Sequence, residues 1–386
     1  MTGSVLFYVQ HLLGIGHLRR ALRIAQALAG QGVEVTLVSG GDPLPALACP
    51  VAARIIQLPP VRSRDAGFRE LVGADGRPID KQLQSTRRAA LLAAFATVRP
   101  DALLIEAFPF GRRAFRFELD ALIAAARSRR PRPLILCSLR DIVVAPREVT
   151  RRREIVARVR ADFDFVLVHG DPLLISLEAS FPPASEIADR LIYTGYVGDS
   201  LAAQRSDEAD GIGEVLVSAG GGAVGGALLS TALETRRRGF MADVRWRLLA
   251  GPNLPEPQFG ALANGLPEGV VLERFRPEFP RMLRGCRVSV SQAGYNTVLE
   301  ILEARAAAVV VPFAAHCETE QSLRAETLAA RGVLDVVRER ELSPDRLADA
   351  MDRRIARGPA GIMIDMAGAQ RSAAVIARLI LASPKC

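Results

Sequence analysis

The sequence predicts an α/β protein built from two parallel-sheet domains. Short apolar runs bounded by turn residues alternate with Ala-, Leu- and Arg-rich stretches of helical period. That pattern lapses near residue 200 and then restarts, and each half opens with a strand, a glycine-rich turn and a helix. The 386 residues, 49% apolar and 24% charged, suit two globular domains and exclude the disordered and fibrous classes.

Residues 5–9 read as the first strand, 14–16 as its turn and 17–30 as a helix with Leu18, Leu22, Ala25 and Leu28 on one face. Strands follow at 33–39, 102–106, 134–138 and 165–169, with helical stretches at 82–99 and 115–129 between them. Asp171 followed by Pro172 has the form of a helix start, a capping side chain and then a first-turn proline. From about 195 to 213 apolar period gives way to Gly, Asp and Ser, the composition of a linker. The expected division is a domain over 1–195, a linker over 196–213, a second domain over 214–365 and a terminal helical segment over 366–386. In the second half, strands are expected at 215–218, 246–250, 270–273, 288–291 and 308–312, with helices ending near Arg238 and starting at Asn296.

The formal charge is +8, with 50 Lys plus Arg against 42 Asp plus Glu, and the only lysines are Lys81 and Lys385. Residues 1–200 hold 27 cations and 20 anions, so the surplus lies in the first domain; residues 112–160 alone carry fourteen arginines and five acids. Such a cluster could meet an anionic acceptor or membrane surface, or be a set of solvated helix faces in an arginine-rich composition. Nucleic acid is disfavoured, because Phe115 and Phe117 are the only aromatic residues there for base stacking. No apolar run approaches the ~20 residues of a membrane span, and the first twenty residues lack the pattern of a secretory signal. Five widely spaced cysteines without a CxxC pair read as thiols of a reducing cytoplasm. No His/carboxylate cluster implies a metal, so neither metal nor cofactor is expected.

Ligands of parallel sheets bind at the carboxyl ends of the strands, which selects the candidate residues. Gly14 and Gly16 open the first helix, where backbone amides and a helix N-terminus can approach a ligand. Arg19 and Ser39 stand where a dinucleotide fingerprint needs a glycine and an acid, so a nicotinamide enzyme is disfavoured. His17, at that helix start, is a candidate base. Glu106 and Asp141 end or follow apolar strands and are alternative bases or acceptor ligands, or else ion-pair partners of Arg112, Arg113 or Arg140. Residues 218–226 contain five glycines after a strand, including Gly220, Gly221 and Gly222, a loop suited to phosphate oxygens but lacking the P-loop GK[ST].

The segment SQAGYNTVLE at 291–300, followed by Pro312-Phe313 and then Glu320-Gln321, resembles the donor signature of nucleotide-sugar glycosyltransferases of the two-domain GT-B type. The layout, with a GxGH turn in one half and a GGG loop in the other, is similar to MurG-like bacterial enzymes, which add N-acetylglucosamine to a lipid-linked muramyl acceptor. The segments FPFGRR (108–113), VHGDP (168–172) and YTGYV (193–197) resemble those of a group of predicted bacterial glycosyltransferases. The resemblance implies two Rossmann-like domains facing each other across a cleft, the first for the acceptor and the second for the donor, with the last helix crossing back onto the first. It implies that Asn296 and Thr297 bind the diphosphate beside Gly294, that Glu300 binds the ribose, and that Glu320 and Gln321 bind the transferred sugar. Phe275 and Arg276 occupy the place that meets the base, and Gln292 stands where plant-type members carry a histidine. The implied function is metal-independent, inverting transfer from a nucleotide-sugar, with UDP-linked sugars the first candidates, to a hydroxyl acceptor that is lipid-linked or anionic. The implied setting is the cytoplasm, with peripheral contact at the inner membrane face. A nucleotide-sugar epimerase or hydrolase on the same fold, and a non-catalytic protein that binds anionic lipid surfaces, are the alternatives.

Overall fold

The computed structural model describes residues 3–12, 16–43, 53–64, 70–144, 146, 148–198, 210–221, 225–313, 320–359 and 364–383. By its contacts the chain divides into two compact units, Met1–Gly198 with Asp365–Cys386, and Asp199–Ile364.

The first unit begins with β1 (Ser4–Val9), α1 (Gly16–Gly30), β2 (Glu34–Ser39) and β3 (Ala53–Gln57), then a small antiparallel hairpin of β4 (Val61–Ser63) and β5 (Leu71–Gly73). It continues with α2 (Lys81–Val98), β6 (Ala102–Glu106), α3 (Arg116–Ser128), β7 (Leu134–Arg140), α4 (Val149–Asp162), β8 (Phe165–His169) and β9 (Leu191–Tyr193). Seven strands form one parallel sheet in the order β3-β2-β1-β6-β7-β8-β9, which turns back on itself between β1 and β6. Alternate residues of β1 serve opposite faces: Leu6 and Tyr8 join one core, and Val5, Phe7 and Val9 the other. Each fully buried apolar side chain of this kind contributes about 1.5–3 kcal/mol.

The last helix, α11 (Gly368–Ala382), belongs to this unit and packs against α1, with Ala369, Ala373, Ile376 and Ile380 in the second core. Tyr196 and Val197, read from sequence as linker, are buried here instead. Val197 pairs with Ala367, and Tyr196 N–H donates to the Asp365 carbonyl at 2.8 Å. Asp171-Pro172 starts no α-helix. Asp171 Oδ1 accepts from Leu173 N at 2.9 Å in a single turn, and two 3-10 helices, Leu177–Ala179 and Pro182–Arg190, carry the chain to β9. The Asp side chain is satisfied by a local Asx turn, which competes with helix propagation.

The second unit repeats the plan with β10 (Val215–Ser218), α5 (Gly226–Arg237), β11 (Trp246–Leu249), α6 (Glu256–Ala263), β12 (Val270–Glu273), α7 (Phe279–Met282), β13 (Val288–Ser291), α8 (Tyr295–Ala304), β14 (Ala308–Val310), α9 (Glu320–Ala330), β15 (Asp335–Val336) and α10 (Pro344–Arg357). Its six parallel strands run in the order β12-β11-β10-β13-β14-β15, with the reversal between β10 and β13.

Part of the arginine-rich stretch is paired once folded, and six of its arginines meet acids among the described residues. Arg127 meets Asp162 at 2.6 Å, Arg132 meets Asp164 at 3.0 Å and Arg158 meets Asp120 at 2.6 Å, while Arg116 spans Asp120 and Glu154. Asp162 and Asp164, and Asp189, which meets Arg160 at 3.5 Å, lie beyond residue 160 in sequence. No helix of the described residues is long and apolar enough to cross a membrane.

Candidate active site

In the first unit, parallel register brings the polar residues at the strand ends together. Glu106 ends β6 beside Ser138 of β7, and Arg140 pairs in register with His169, which ends β8. The start of α1 sets His17 and Arg20 one turn apart over the same edge. His17 Nδ1 lies 2.9 Å from Glu106 Oε1, Arg20 donates to that same oxygen, and the Ser138 hydroxyl donates to Oε2 at 2.5 Å. Glu106 is fully buried, Arg20 nearly so, and the His17 side chain is 20% exposed, so the imidazole is the member of the group that reaches solvent.

The electrostatics follow from this packing. Burial pushes the Glu106 carboxyl upward, but Arg20, His17 and Ser138 together bring it well below the usual carboxylate range. Burial, then the charge of Arg112, and further Arg140 and Arg20, hold the His17 imidazole down to about 3 against the opposing pull of Glu106. The folded site is therefore a neutral imidazole held by an ionised carboxylate, the arrangement in which a carboxylate orients a histidine base. Arg112, in a left-handed conformation at φ 59°, donates Nε–H to the Gln10 carbonyl at 2.7 Å. Burial brings Arg112 down to about 10. Arg113 is exposed.

Of the sequence-selected residues here, His17 and Glu106 are joined directly, and Arg112 is near enough to act on His17 through its charge. Asp141 is buried, accepts from Ile142 N at 2.9 Å and packs against Gly170, where a Cβ would come within 2.6 Å of its own. Gly16 is the first residue of α1, and Gly14 lies outside the described residues. Sequence reasoning missed Arg20 and Ser138 and met His169 only within the VHGDP segment. The signals were present: Arg20 is three residues after His17 on one helix face, and Ser138 is a hydroxyl inside an apolar strand.

In the second unit, Ser218 and Ser291 end neighbouring strands in register, and the Gln292 N–H donates to the Ser218 carbonyl at 3.3 Å. Gly220 has φ +69° and its N–H donates to Ser218 Oγ at 3.2 Å, while Asn253 donates to the Gly221 carbonyl at 2.6 Å. A Cβ at Gly220, Gly221 or Gly294 would meet nothing within 4 Å among the described residues, so packing does not demand glycine there. Gly222 lies outside the described residues. Gly294 precedes α8, whose first turn carries Asn296 and Thr297, with Glu300 one turn on; all three are partly exposed. Gln321 Oε1 accepts from Phe313 N at 3.1 Å, whereas Glu320 turns inward to Arg324 at 3.0 Å, so the two adjacent side chains part. Phe275 is 57% exposed between two anchored arginines: Arg274 donates to the Leu254 carbonyl, and Arg276 pairs with Asp210 and Glu273. Among the described residues no group of three His, Cys, Asp or Glu side chains could hold a metal ion.

Residues 232–378 match the model of the glycosyltransferase family 28 C-terminal domain. The UDP-N-acetylglucosamine--N-acetylmuramyl-(pentapeptide) pyrophosphoryl-undecaprenol N-acetylglucosamine transferase of Phenylobacterium zucineum is 28% identical over 166 residues, 42% of this chain and 45% of that protein. The chain thus spans about half the length of the curated relatives it matches. The MurG structure of Acinetobacter baumannii aligns with 98% of this chain and 99% of its own at 16% identity and a TM-score of 0.59. The glycosyltransferase VinC, solved in complex with dTDP, aligns with 99% of this chain and 96% of its own at 18% identity and a TM-score of 0.63. The fold is GT-B. The resemblance to MurG-like GT-B glycosyltransferases read from the sequence thus holds in the family model, the relatives and the solved structures alike.

Proposed function

We propose that this GT-B chain is a glycosyltransferase that moves a sugar from a UDP-linked donor to a hydroxyl acceptor, with inversion and without a metal ion. The observation that carries this reading is the His17 imidazole held through Nδ1 by buried, ionised Glu106 at the carboxyl edge of a parallel sheet. Glu106 is fully buried and its two oxygens already receive Arg20, His17 and Ser138, so no acceptor hydroxyl reaches it. Asp141 is buried beside Gly170. His17 is the base: it takes the proton of the acceptor hydroxyl as that oxygen bonds to the anomeric carbon and the sugar–diphosphate bond breaks.

In this reading the second unit holds the donor. The N-terminus of α8, with Asn296 and Thr297, receives the diphosphate and stabilises it as it leaves with the bonding electrons. Glu300 and Gln321 take hydroxyls of the ribose and the sugar, and exposed Phe275 stacks on the base. Glu320 is assigned no hydroxyl, because Arg324 occupies it. Open glycines at 220, 221 and 294 leave the backbone accessible to phosphate oxygens.

An anionic, lipid-linked acceptor fits the cation at Arg112 and the substrate in the relatives' names. A cytoplasmic enzyme touching an anionic membrane fits the exposed Val144, Val149 and Leu173, which are 54%, 60% and 84% accessible. Sedimentation with phosphatidylglycerol vesicles checks that contact.

The deciding experiment incubates the full chain with UDP-, dTDP- and GDP-sugars, with and without a polyprenyl-diphosphate sugar acceptor and with EDTA. Transfer that needs the acceptor, survives EDTA and inverts the anomeric centre supports the proposal. Free sugar or an epimer formed without acceptor would assign a hydrolase or an epimerase instead.

A further inference from the structure

Behind Glu106 the polar side chains form a series whose direction is fixed by counting hydrogens. Glu106 is ionised against Arg20, so both its oxygens only accept. Ser138 has one hydroxyl hydrogen, directed to Glu106 Oε2 at 2.5 Å, so its oxygen must accept from His169 Nε2–H at 2.9 Å. His169 Nδ1 is then the acceptor, and the Thr194 hydroxyl donates to it at 2.9 Å in preference to the Val168 carbonyl, which is 3.4 Å away. Ser372 of α11, 3.5 Å from the same nitrogen, directs its own hydrogen to the Gly368 carbonyl at 2.6 Å. On the near side, His17 Nδ1 lies 2.9 Å from Glu106 Oε1 and 3.2 Å from Arg20 Nη2; a bare Nδ1 would set its lone pair against the nearer, accept-only carboxylate oxygen, so Nδ1 carries the proton and donates to Oε1, which leaves Nε2 with its lone pair. Glu106, Ser138, His169, Thr194 and Ser372 are all 0% exposed, so bulk water cannot replace a missing partner.

We propose that His169 is a positioning residue of this site: as the neutral Nε2–H tautomer between Thr194 and Ser138, it aims the Ser138 hydroxyl at Glu106 and so fixes His17 with its proton on Nδ1 and Nε2 open. The catalytic part of this rests on His17 being the base; the tautomers do not. His169 sits among Arg20, which disfavours its protonation, and Glu106, which favours it, and burial holds the imidazole down to about 3. The outer end of the series rests on α11. Gly368 N–H donates to the Tyr196 carbonyl at 3.0 Å, and a Cβ at Gly368 would come within 2.4 Å of the Gly195 carbonyl oxygen. The seating of α11 thereby reaches Glu106 through Thr194 and His169.

The chain has four histidines, so long-range 1H–15N correlation on the full-length protein, with each ring assigned by its own substitution, reads the tautomers directly. At pH 7 His169 is expected neutral with its proton on Nε2, and His17 neutral with its proton on Nδ1. Ser138→Ala should move the His17 Nδ1 proton downfield, because a carboxylate with one donor fewer pulls harder on the remaining one. His169→Gln, which keeps a donor near the Nε2 position, should retain the wild-type His17 signal. His169→Phe should lose that signal and lower kcat about tenfold with the donor KM unchanged. An imidazolium or Nδ1–H form of His169 at pH 7, a His17 signal indifferent to Ser138→Ala, or wild-type kcat in His169→Phe overturns the proposal. If His169→Phe does not fold, Ser138→Ala and Thr194→Val carry the same test. Correct tautomers in a protein that transfers no sugar would sink the functional reading alone.

Discussion

Replacing Glu106 by Gln tests the site most directly. The carboxylate receives Arg20, His17 and Ser138, with Arg20 3% exposed. Deleting one member of a buried ion pair costs about 3–5 kcal/mol, and Gln restores a carbonyl for Arg20, so a loss near the lower end, about 3 kcal/mol, is expected. In a unit of this size that lowers its melting temperature by roughly 6–12 °C. The amide also brings two hydrogens toward Ser138, whose own hydrogen then has no acceptor. Without an anion behind its Nδ1–H, His17 is a poorer base, and kcat should fall by about 10²–10⁴. Acid sensitivity supplies an independent check. Because the folded carboxyl lies below its ordinary value of 4.5, the wild type keeps this stability above about pH 4.5 and loses it as pH falls toward the folded value. The variant lacks that part of the acid slope. Calorimetry across pH 3–7 with initial-rate assays covers both consequences, and wild-type stability with wild-type kcat in Glu106→Gln would refute the reasoning.

Other outcomes follow from the same geometry. Arg112→Gln should raise the His17 pKa above about 3, since the Arg112 charge is the largest electrostatic influence holding it down; an NMR titration that shows no rise removes Arg112 from the site. Gly368→Ala forces a Cβ onto the carbonyl oxygens of Gly195 and Tyr196 at 2.4 and 2.5 Å and should destabilise the first unit by about 1–3 kcal/mol, read by urea unfolding. Asn296→Ala should weaken UDP binding about tenfold in titration calorimetry, the size of one lost charged hydrogen bond. Phe275→Ala, at an exposed side chain, should leave stability within about 0.5 kcal/mol while weakening binding of the nucleotide base by about 1–3 kcal/mol.

The strands β6, β8, β10, β12 and β13 keep the bounds read from the sequence; in β6 and β10, buried along their whole length, the near-continuous apolar run is what a strand covered on both faces requires. Glu106 was legible because it ends an apolar run, and Asn296 because it falls in the segment that resembles the donor signature. The edge pieces β9 and β15, three and two residues long, carry too few residues to show a period and form by pairing with a neighbour already in place. The Asp171-Pro172 signal was local and lost to an Asx turn that satisfies the same side chain.

The sequence alone therefore determined two parallel-sheet units, the helix-start position of His17, the strand-end position of Glu106, and a positive charge carried by arginine. Tertiary structure decided what those residues do. It set Asp162, Asp164 and Asp189 against the arginine cluster, which composition over 112–160 alone could not show, and turned Glu320 away from Gln321 toward Arg324. It also gathered Arg20, Ser138 and His169 around Glu106 from positions up to 149 residues apart, as the register of parallel strands and the seating of α1 dictate. Spacing along a chain reports local periodicity, whereas partners for a buried charge come from whichever strand end or helix face packs beside it.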